Sequence, residues 1–210
     1  MERMKTKGFY VYIKRIIDVF ISLVMMAPLL LLSIVIKIIN LIKNDYGPLF
    51  YKQDRVGKDG KLFQIIKYRT MTPDAEDELK KLLEDNENKR EWEEYHKFEN
   101  DPRITPIGLF LRKSSIDEFP QFINVLKGDM SIIGPRPLVP GELQSHNGDP
   151  IYESIRPGIT GWWACNGRSI LTYKERLEYE YYYIKHVSFL LDLKIFLKTI
   201  ICVFDKTGAR

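Results

Sequence analysis

Residues 115–137 read SIDEFPQFINVLKGDMSIIGPRP. Two carboxylates, Asp117 and Glu118, stand side by side just before Pro120, and Arg136 is held between Pro135 and Pro137. Read as a helix with Asp117 at its N-cap, the stretch puts Pro120 in the first turn, where N–H groups have no intrahelical partner. Lys127 then falls in the last turn and Gly128 at the stop. Ser115 and Glu118 also have the spacing of a capping box, in a register that carries Pro120 deeper into the helix. Either way the pair lies at the positive end of a helix, which favours the ionised forms. Capping explains the carboxylates but not Arg112, Lys113 and Arg136 around them, which an anionic substrate would explain. Nor does it explain the two prolines, which leave the Arg136 backbone little entropy to lose. Neighbouring helical positions point about 100° apart, so the pair suits divided labour rather than a shared proton. One attacks or holds a metal; the other orients or moves a proton. An ionised carboxylate is a competent nucleophile towards phosphorus once the phosphate charge is neutralised. Magnesium, which takes few carboxylates plus phosphate oxygens, and arginines would supply that.

Outward from this block, the chain upstream reads as a hairpin. Phe50–Val56 and Leu62–Tyr68 are the strands, and Gly57-Lys58-Asp59-Gly60 connects them. This ribbon carries Lys52, Arg55, Lys58, Lys61, Lys67 and Arg69. An acidic arm follows: residues 72–101 hold twelve Asp/Glu against five Lys/Arg, a net of −7 in a chain of net +4, so the remainder carries +11. Its Glu/Lys spacing reads as a solvated helix. A basic body points to anionic partners: phosphates, nucleic acid or an anionic membrane surface. No nucleic-acid reading module accompanies the basic residues.

Further upstream, Val19 to Ile36 is an uncharged apolar run of eighteen residues, closed by Asp18 and Lys37. As a helix it covers about 27 Å, barely a bilayer core. It is too long for a signal-peptide core, and no small-residue cleavage site follows. Pro28 removes a hydrogen bond near its middle and favours a kink. Basic residues flank both ends (Arg3, Lys5, Lys7, Lys14 and Arg15 before, Lys37 and Lys43 after), which favours both ends on the cytoplasmic side. A re-entrant helix bent at Ala27-Pro28 and a kinked helix that crosses once are both compatible with these residues.

Downstream, IRPGITGWWACNGRS (155–169) has the Gly and turn residues of a binding loop. Two helical patterns follow. The last is strongly apolar, but Asp192, Lys194 and Lys198 exclude a second span, so a helix in the membrane plane or packed under the body fits better. Tyr179, Tyr181, Tyr182 and Tyr183 suit a membrane interface or a core equally. Two cysteines, Cys165 and Cys202, and three scattered histidines give neither a disulfide framework nor zinc spacing. The expected fold is a helix-rich α/β mixture: an N-terminal membrane element over 1–43, and a compact catalytic body over 44–210 with a small β-hairpin and interfacial amphipathic helices.

The order of KRIID (14–18), an apolar segment with a central proline, KYRTM (67–71), the carboxylate-to-GPRP block and RPGITGWWACNGR (156–168) resembles the bacterial sugar transferases. The resemblance is to their small monotopic phosphoglycosyl transferases, without the multi-span region some relatives carry. It implies transfer of a phosphosugar from a UDP-sugar to polyprenol (undecaprenyl) phosphate with release of UMP, the first membrane step of glycoconjugate assembly. It implies Asp117 as nucleophile and magnesium ligand, forming a covalent phosphosugar intermediate, with Glu118 assisting. Arg136 and Arg112 would bind phosphate, and Lys67 and Arg168 match further basic positions. The membrane helix would be re-entrant, and the protein would sit on the cytoplasmic face of the bacterial inner membrane. The sugar, the pathway and homo-oligomerisation stay open. Two departures stand out: Ala27-Pro28 where the family often has Ser-Pro, and GWWACNGR where GWAQVNGR is familiar. The rival readings are a membrane-bound scaffold that grips anionic lipid, and a conventional glycosyltransferase, which lacks its Asp-x-Asp here.

Overall fold

The computed structural model describes residues 8–95, 98, 100–167 and 171–205. It opens with α1 (Gly8–Ile42), a 35-residue helix that continues on both sides of Pro28. The interruption expected at Ala27-Pro28 is therefore not an end of the helical run. Proline deletes one rung of the ladder, and the helical hydrogen bonding resumes on its far side. The packing is a stripe: Asp18, Ser22, Leu29, Ile36 and Asn40 are buried, at spacings of four, seven, seven and four residues that keep to one helix face. On the other face Phe9, Ile16, Phe20, Leu23, Leu30, Leu31, Val35 and Ile38 are exposed.

The hairpin forms as the alternation indicates. Strands β1 (Phe50–Val56) and β2 (Leu62–Tyr68) pair antiparallel from Phe50↔Tyr68 to Val56↔Leu62, joined by a short 3-10 turn at Lys58–Gly60. Tyr68 anchors the ribbon to α1: its hydroxyl donates to the Leu29 carbonyl at 3.1 Å and lies 2.8 Å from Ser33 Oγ. The acidic arm is helical but split into α2 (Ala75–Leu82) and α3 (Asn86–Tyr95), and α2 buries no residue.

Helix α4 (Pro106–Lys113) starts at Thr105, whose side chain caps the Gly108 N–H, with Pro106 at the first helical position. A Cβ on Gly108 would lie 1.9 Å from the Thr70 carbonyl oxygen, so only glycine lets α4 approach the strand end this closely. Ser115, in the left-handed region at φ 56°, then reverses the chain into a 3-10 turn over Ile116–Glu118. Helix α5 (Gln121–Lys127) follows, stopped by Gly128 at φ 93°. The Gly128 stop is as expected, but the start is different. Pro120, not Asp117, occupies the N-cap, and Ser115 makes no capping hydrogen bond.

Beyond α5 the chain makes β3 (Ser131–Ile133), the Pro135–Pro137 loop, α6 (Glu142–Ser145), a 3-10 turn at Pro150–Ser154 and β4 (Gly158–Thr160). β3 and β4 pair in parallel, Ser131↔Gly158 and Ile133↔Thr160. Helix α7 (Tyr173–His186) opens on a capping box between Thr172 and Glu175. Helix α8 (Phe189–Asp205) buries Asp192 and Ile195 while Leu190, Leu193, Phe196, Leu197 and Ile201 stay exposed. Tyr183 is fully buried core and Tyr182 is exposed. The main core joins Ile65, Val125, Met130, Ile133, Tyr183 and Ile195, so hairpin, α5, β3, α7 and α8 share one interior.

Polar contacts fasten α1 to this body along its length. Asp18 accepts from Ser131 Oγ at 2.7 Å and from the Ile132 N–H at 3.1 Å. Arg15 donates to the carbonyls of Val125 and Leu126 at the end of α5. Asp192 of α8 accepts from Tyr10 at 2.5 Å, Lys14 at 2.7 Å and Tyr183 at 2.8 Å.

Candidate active site

Asp117 and Glu118 project from the tight turn between α4 and α5, beside the end of β2. Glu118 Oε1 pairs with Lys67 Nζ at 2.9 Å. Arg112, in the last turn of α4, donates through Nε to Thr70 Oγ1 at 2.9 Å, which fixes its side chain next to the same turn. Asp117 takes part in none of the ion pairs among the described residues. Burial pushes its pKa up to about 6, and the Glu118 charge adds to the rise; Lys67 and Arg112 pull the other way. The site thus holds one half-buried carboxylate that titrates just below neutrality, with cations close but not bonded to it. Such a group is mostly ionised above about pH 7 and keeps its lone pairs available.

This arrangement has a pH signature. A reaction needing ionised Asp117 is expected to gain kcat/KM as pH rises through about 6. Because Lys67 lowers the Asp117 pKa, Lys67→Gln is expected to move that acid limb to higher pH, by on the order of half a unit or more. A pH–rate profile of both proteins checks this; an unmoved or downward-shifted limb contradicts it.

Arg136 lies in a neighbouring cluster. Its guanidinium stacks over the Trp163 ring at 5.5 Å, and Arg176 stacks near the same ring at 5.9 Å. The Arg136 N–H donates to Glu180 Oε1 at 2.8 Å, and Tyr152 Oη donates to the Arg136 carbonyl at 2.9 Å. The charges that act most on Asp117 are Glu118, Lys67 and Arg112. Arg55 links the two clusters: it donates to the Pro137 carbonyl at 3.1 Å, and both Arg136 and Glu118 act on its charge. On the ribbon, Lys67 faces Tyr51, four residues before Arg55 on the same strand face, so about 13 Å of strand separates the positions of the two cations. Arg168 falls outside the described residues. Cys165 is half-buried, its pKa raised to about 11 by burial, and so is not a thiolate.

Sequence reading singled out Asp117, Glu118, Lys67, Arg112 and Arg136, and missed Arg55, Trp163, Arg176 and Glu180 as members of these clusters. Arg55 could have been found, because hairpin register puts it on the Lys67 face. Glu180 carried no signal, since in LEYEYYYIK it looks like any surface glutamate.

A magnesium ion can be tested against this donor set. Among the described residues no group of three or more His, Cys, Asp or Glu side chains converges. The adjacent Asp117 and Glu118 offer what magnesium takes when substrate phosphates complete its shell, so they fit an ion that arrives with the substrate.

A long apolar helix is docked on an α/β body that carries an Asp-Glu turn among cations. The bacterial sugar transferase profile matches residues 9–206, and the chain belongs to that family. It is 39% identical over 200 residues to the UDP-galactose-lipid carrier transferase of Erwinia amylovora, and equally so to the undecaprenyl-phosphate galactose phosphotransferase of Salmonella typhimurium; each match covers 94% of this chain and 42% of the relative. It is 38% identical over 202 residues to the exopolysaccharide production protein ExoY of Rhizobium meliloti, covering 93% of this chain and 87% of that protein. The chain thus spans about two-fifths of the length of the Erwinia and Salmonella proteins.

Proposed function

We propose that this protein is a polyprenyl-phosphate sugar-1-phosphate transferase that works through Asp117. The observation that carries the reading is the half-buried Asp117 carboxylate, with a pKa of about 6, flanked by Lys67 and Arg112 and paired in sequence with a salt-bridged Glu118. The names of the relatives support undecaprenyl phosphate as acceptor and a UDP-sugar as donor.

The ionised Asp117 oxygen attacks the sugar-bearing phosphorus of the UDP-sugar. The bond from that phosphorus to the bridging oxygen breaks, and UMP leaves with the electron pair. An oxygen of polyprenol phosphate then attacks the same phosphorus, and Asp117 departs as carboxylate, leaving polyprenyl diphosphate sugar. Lys67 and Arg112 offset charge on the transferring phosphoryl group, where such charges are worth most in a partly desolvated site. Glu118, held by Lys67, orients the acceptor or takes its proton. Arg136 receives the phosphate at the nucleotide end, and Arg168 adds a further cation. Magnesium, held by Asp117 with Glu118 beside it, would supply neutralisation of the diphosphate charge.

Packing supports a particular membrane arrangement. A straight 35-residue helix is about 52 Å long, well beyond a hydrocarbon core of about 30 Å. Both of its halves are fastened to the same body, through Asp18 near one end and Leu29, Ile36 and Asn40 towards the other. A helix crossing the bilayer would carry half of that body into lipid. We therefore place α1 as a re-entrant or in-plane element, entering and leaving on the cytoplasmic face. The exposed apolar faces of α1 and α8, with Leu109 and Phe110 of α4, form the lipid contact. Single cysteines placed at residues 12 and 42 are both expected to react with an impermeant thiol reagent only after the cytoplasmic side is opened; labelling of either from outside contradicts this topology.

The reaction is tested by assaying UMP from a panel of UDP-sugars with polyprenol phosphate and magnesium. Release from at least one sugar is expected; release from none overturns the assignment.

A further inference from the structure

Arg136 is the most heavily tethered residue of the site, and the tethers come from places the reaction does not otherwise use. Both polar groups of its backbone are held by side chains: the N–H by Glu180 of α7 at 2.8 Å, the carbonyl by Tyr152 of the 3-10 turn at 2.9 Å. The two tethers meet, with Tyr152 Oη 3.5 Å from Glu180 Oε1. One residue on, Arg55 holds the Pro137 carbonyl. Prolines fix φ on both sides of Arg136. Its guanidinium rests over Trp163, and its Nε is buried with no partner among the described residues. A loop fixed at these points holds the Arg136 backbone, and with it the root of the guanidinium, in a preset place.

Glu180 is the costly part of this device. It is 0% exposed in the middle of α7, where a leucine would fill the space more cheaply. Arg176 and Arg136 lie near it, and Glu142 pairs with Arg176 at 3.0 Å. Burial pushes the Glu180 pKa up to about 8, while the Arg136 N–H and the Arg176 charge pull it down.

We infer that Glu180 is a positioning residue: its buried carboxyl fixes the Arg136 backbone, and through it the phosphate-binding guanidinium, without touching substrate. The inference deepens the proposed function and rests on it for its kinetic consequences. UMP release and thermal unfolding are measured for wild type, Glu180→Ala, Glu180→Gln, Arg136→Ala and the Glu180→Ala/Arg136→Ala double variant. Losing the tether is expected to lower kcat/KM for UDP-sugar about tenfold. Because Glu180 acts through Arg136, the double variant is expected to be no worse than Arg136→Ala alone. Glu180→Gln, which keeps an acceptor for the N–H, is expected to stay within about threefold of wild type. Losses that multiply, or a Gln variant as impaired as the Ala variant, overturn the inference. Should Glu180→Ala fail to fold, Tyr152→Phe removes the other tether and enters the same cycle with the same expectation and the same overturning result. Hydrogen exchange over residues 131–139 reads the tether apart from the reaction. Faster exchange in the tether-less variant and wild-type protection in Glu180→Gln are expected, and unchanged exchange in the tether-less variant overturns the tether even if UMP is released. Conversely, a wild type that releases no UMP while exchange behaves as expected overturns the reaction assignment and leaves the tether standing.

Discussion

Asp117→Asn is expected to lower UMP release by at least about a thousandfold, because an amide cannot form the acyl phosphate of the proposed reaction. The same variant is expected to be more stable than wild type at high pH. The folded pKa of Asp117, about 6, lies above its ordinary value of 3.8. The proton is therefore bound more tightly in the folded state. Relative to the charged form, the stabilising contribution is present below about pH 4 and is lost as pH rises through 6. At pH 8 the buried charge costs roughly 1–3 kcal/mol, which the neutral amide does not pay. Thermal unfolding is expected to show a gain of a few degrees for Asp117→Asn at pH 8 and none near pH 4. Loss of activity with loss of stability at pH 8 would instead make Asp117 a structural residue.

The second large effect is at Gly108. Its replacement by alanine puts a methyl 1.9 Å from the Thr70 carbonyl oxygen, which itself accepts from the Thr105 N–H at 3.0 Å. That atom is backbone and cannot swing away, so α4 must move. Gly108→Ala is expected to destabilise the fold by about 3 kcal/mol. The shift also separates Arg112 from Thr70 Oγ1, so residual folded protein is expected to show a raised KM for UDP-sugar. Unfolding and kinetics of the purified variant check both; wild-type values in each would mean α4 packs less closely than described.

What the sequence disclosed and what it hid divide along the range of the interactions involved. The hairpin was legible because alternation and the Gly57-to-Gly60 turn are local, and its strands form over the expected residues. Gly128 was legible as a stop because a left-handed residue after a helix is a local demand. The start of α5 was misread because Ser115 adopts a left-handed conformation that sequence does not announce. The parallel pair β3–β4 joins strands 27 residues apart along the chain, Ser131 to Gly158, and neither three-residue strand has a pattern of its own. At the site, Asp117, Glu118 and Arg112 could be named because they lie in one contiguous block, while Lys67 was named from the family resemblance of KYRTM. Glu180 and Trp163 could not, since their role comes only from the fold bringing α7 and the 161–167 loop to the Pro135–Pro137 turn. Asp18 was read as the edge of an apolar run. Its actual work is to cap β3, which ties α1 to the rest of the body.

The most direct measurement is intact-mass spectrometry of the protein incubated with UDP-sugar and magnesium in the absence of polyprenol phosphate. A covalent route gives one sugar-phosphate of added mass, UMP in matching amount, and an adduct on the peptide that contains Asp117. Adding polyprenol phosphate then returns the protein to its starting mass. UMP release that occurs only when the acceptor is present, with no adduct on wild-type protein, would contradict the assignment of Asp117 as nucleophile.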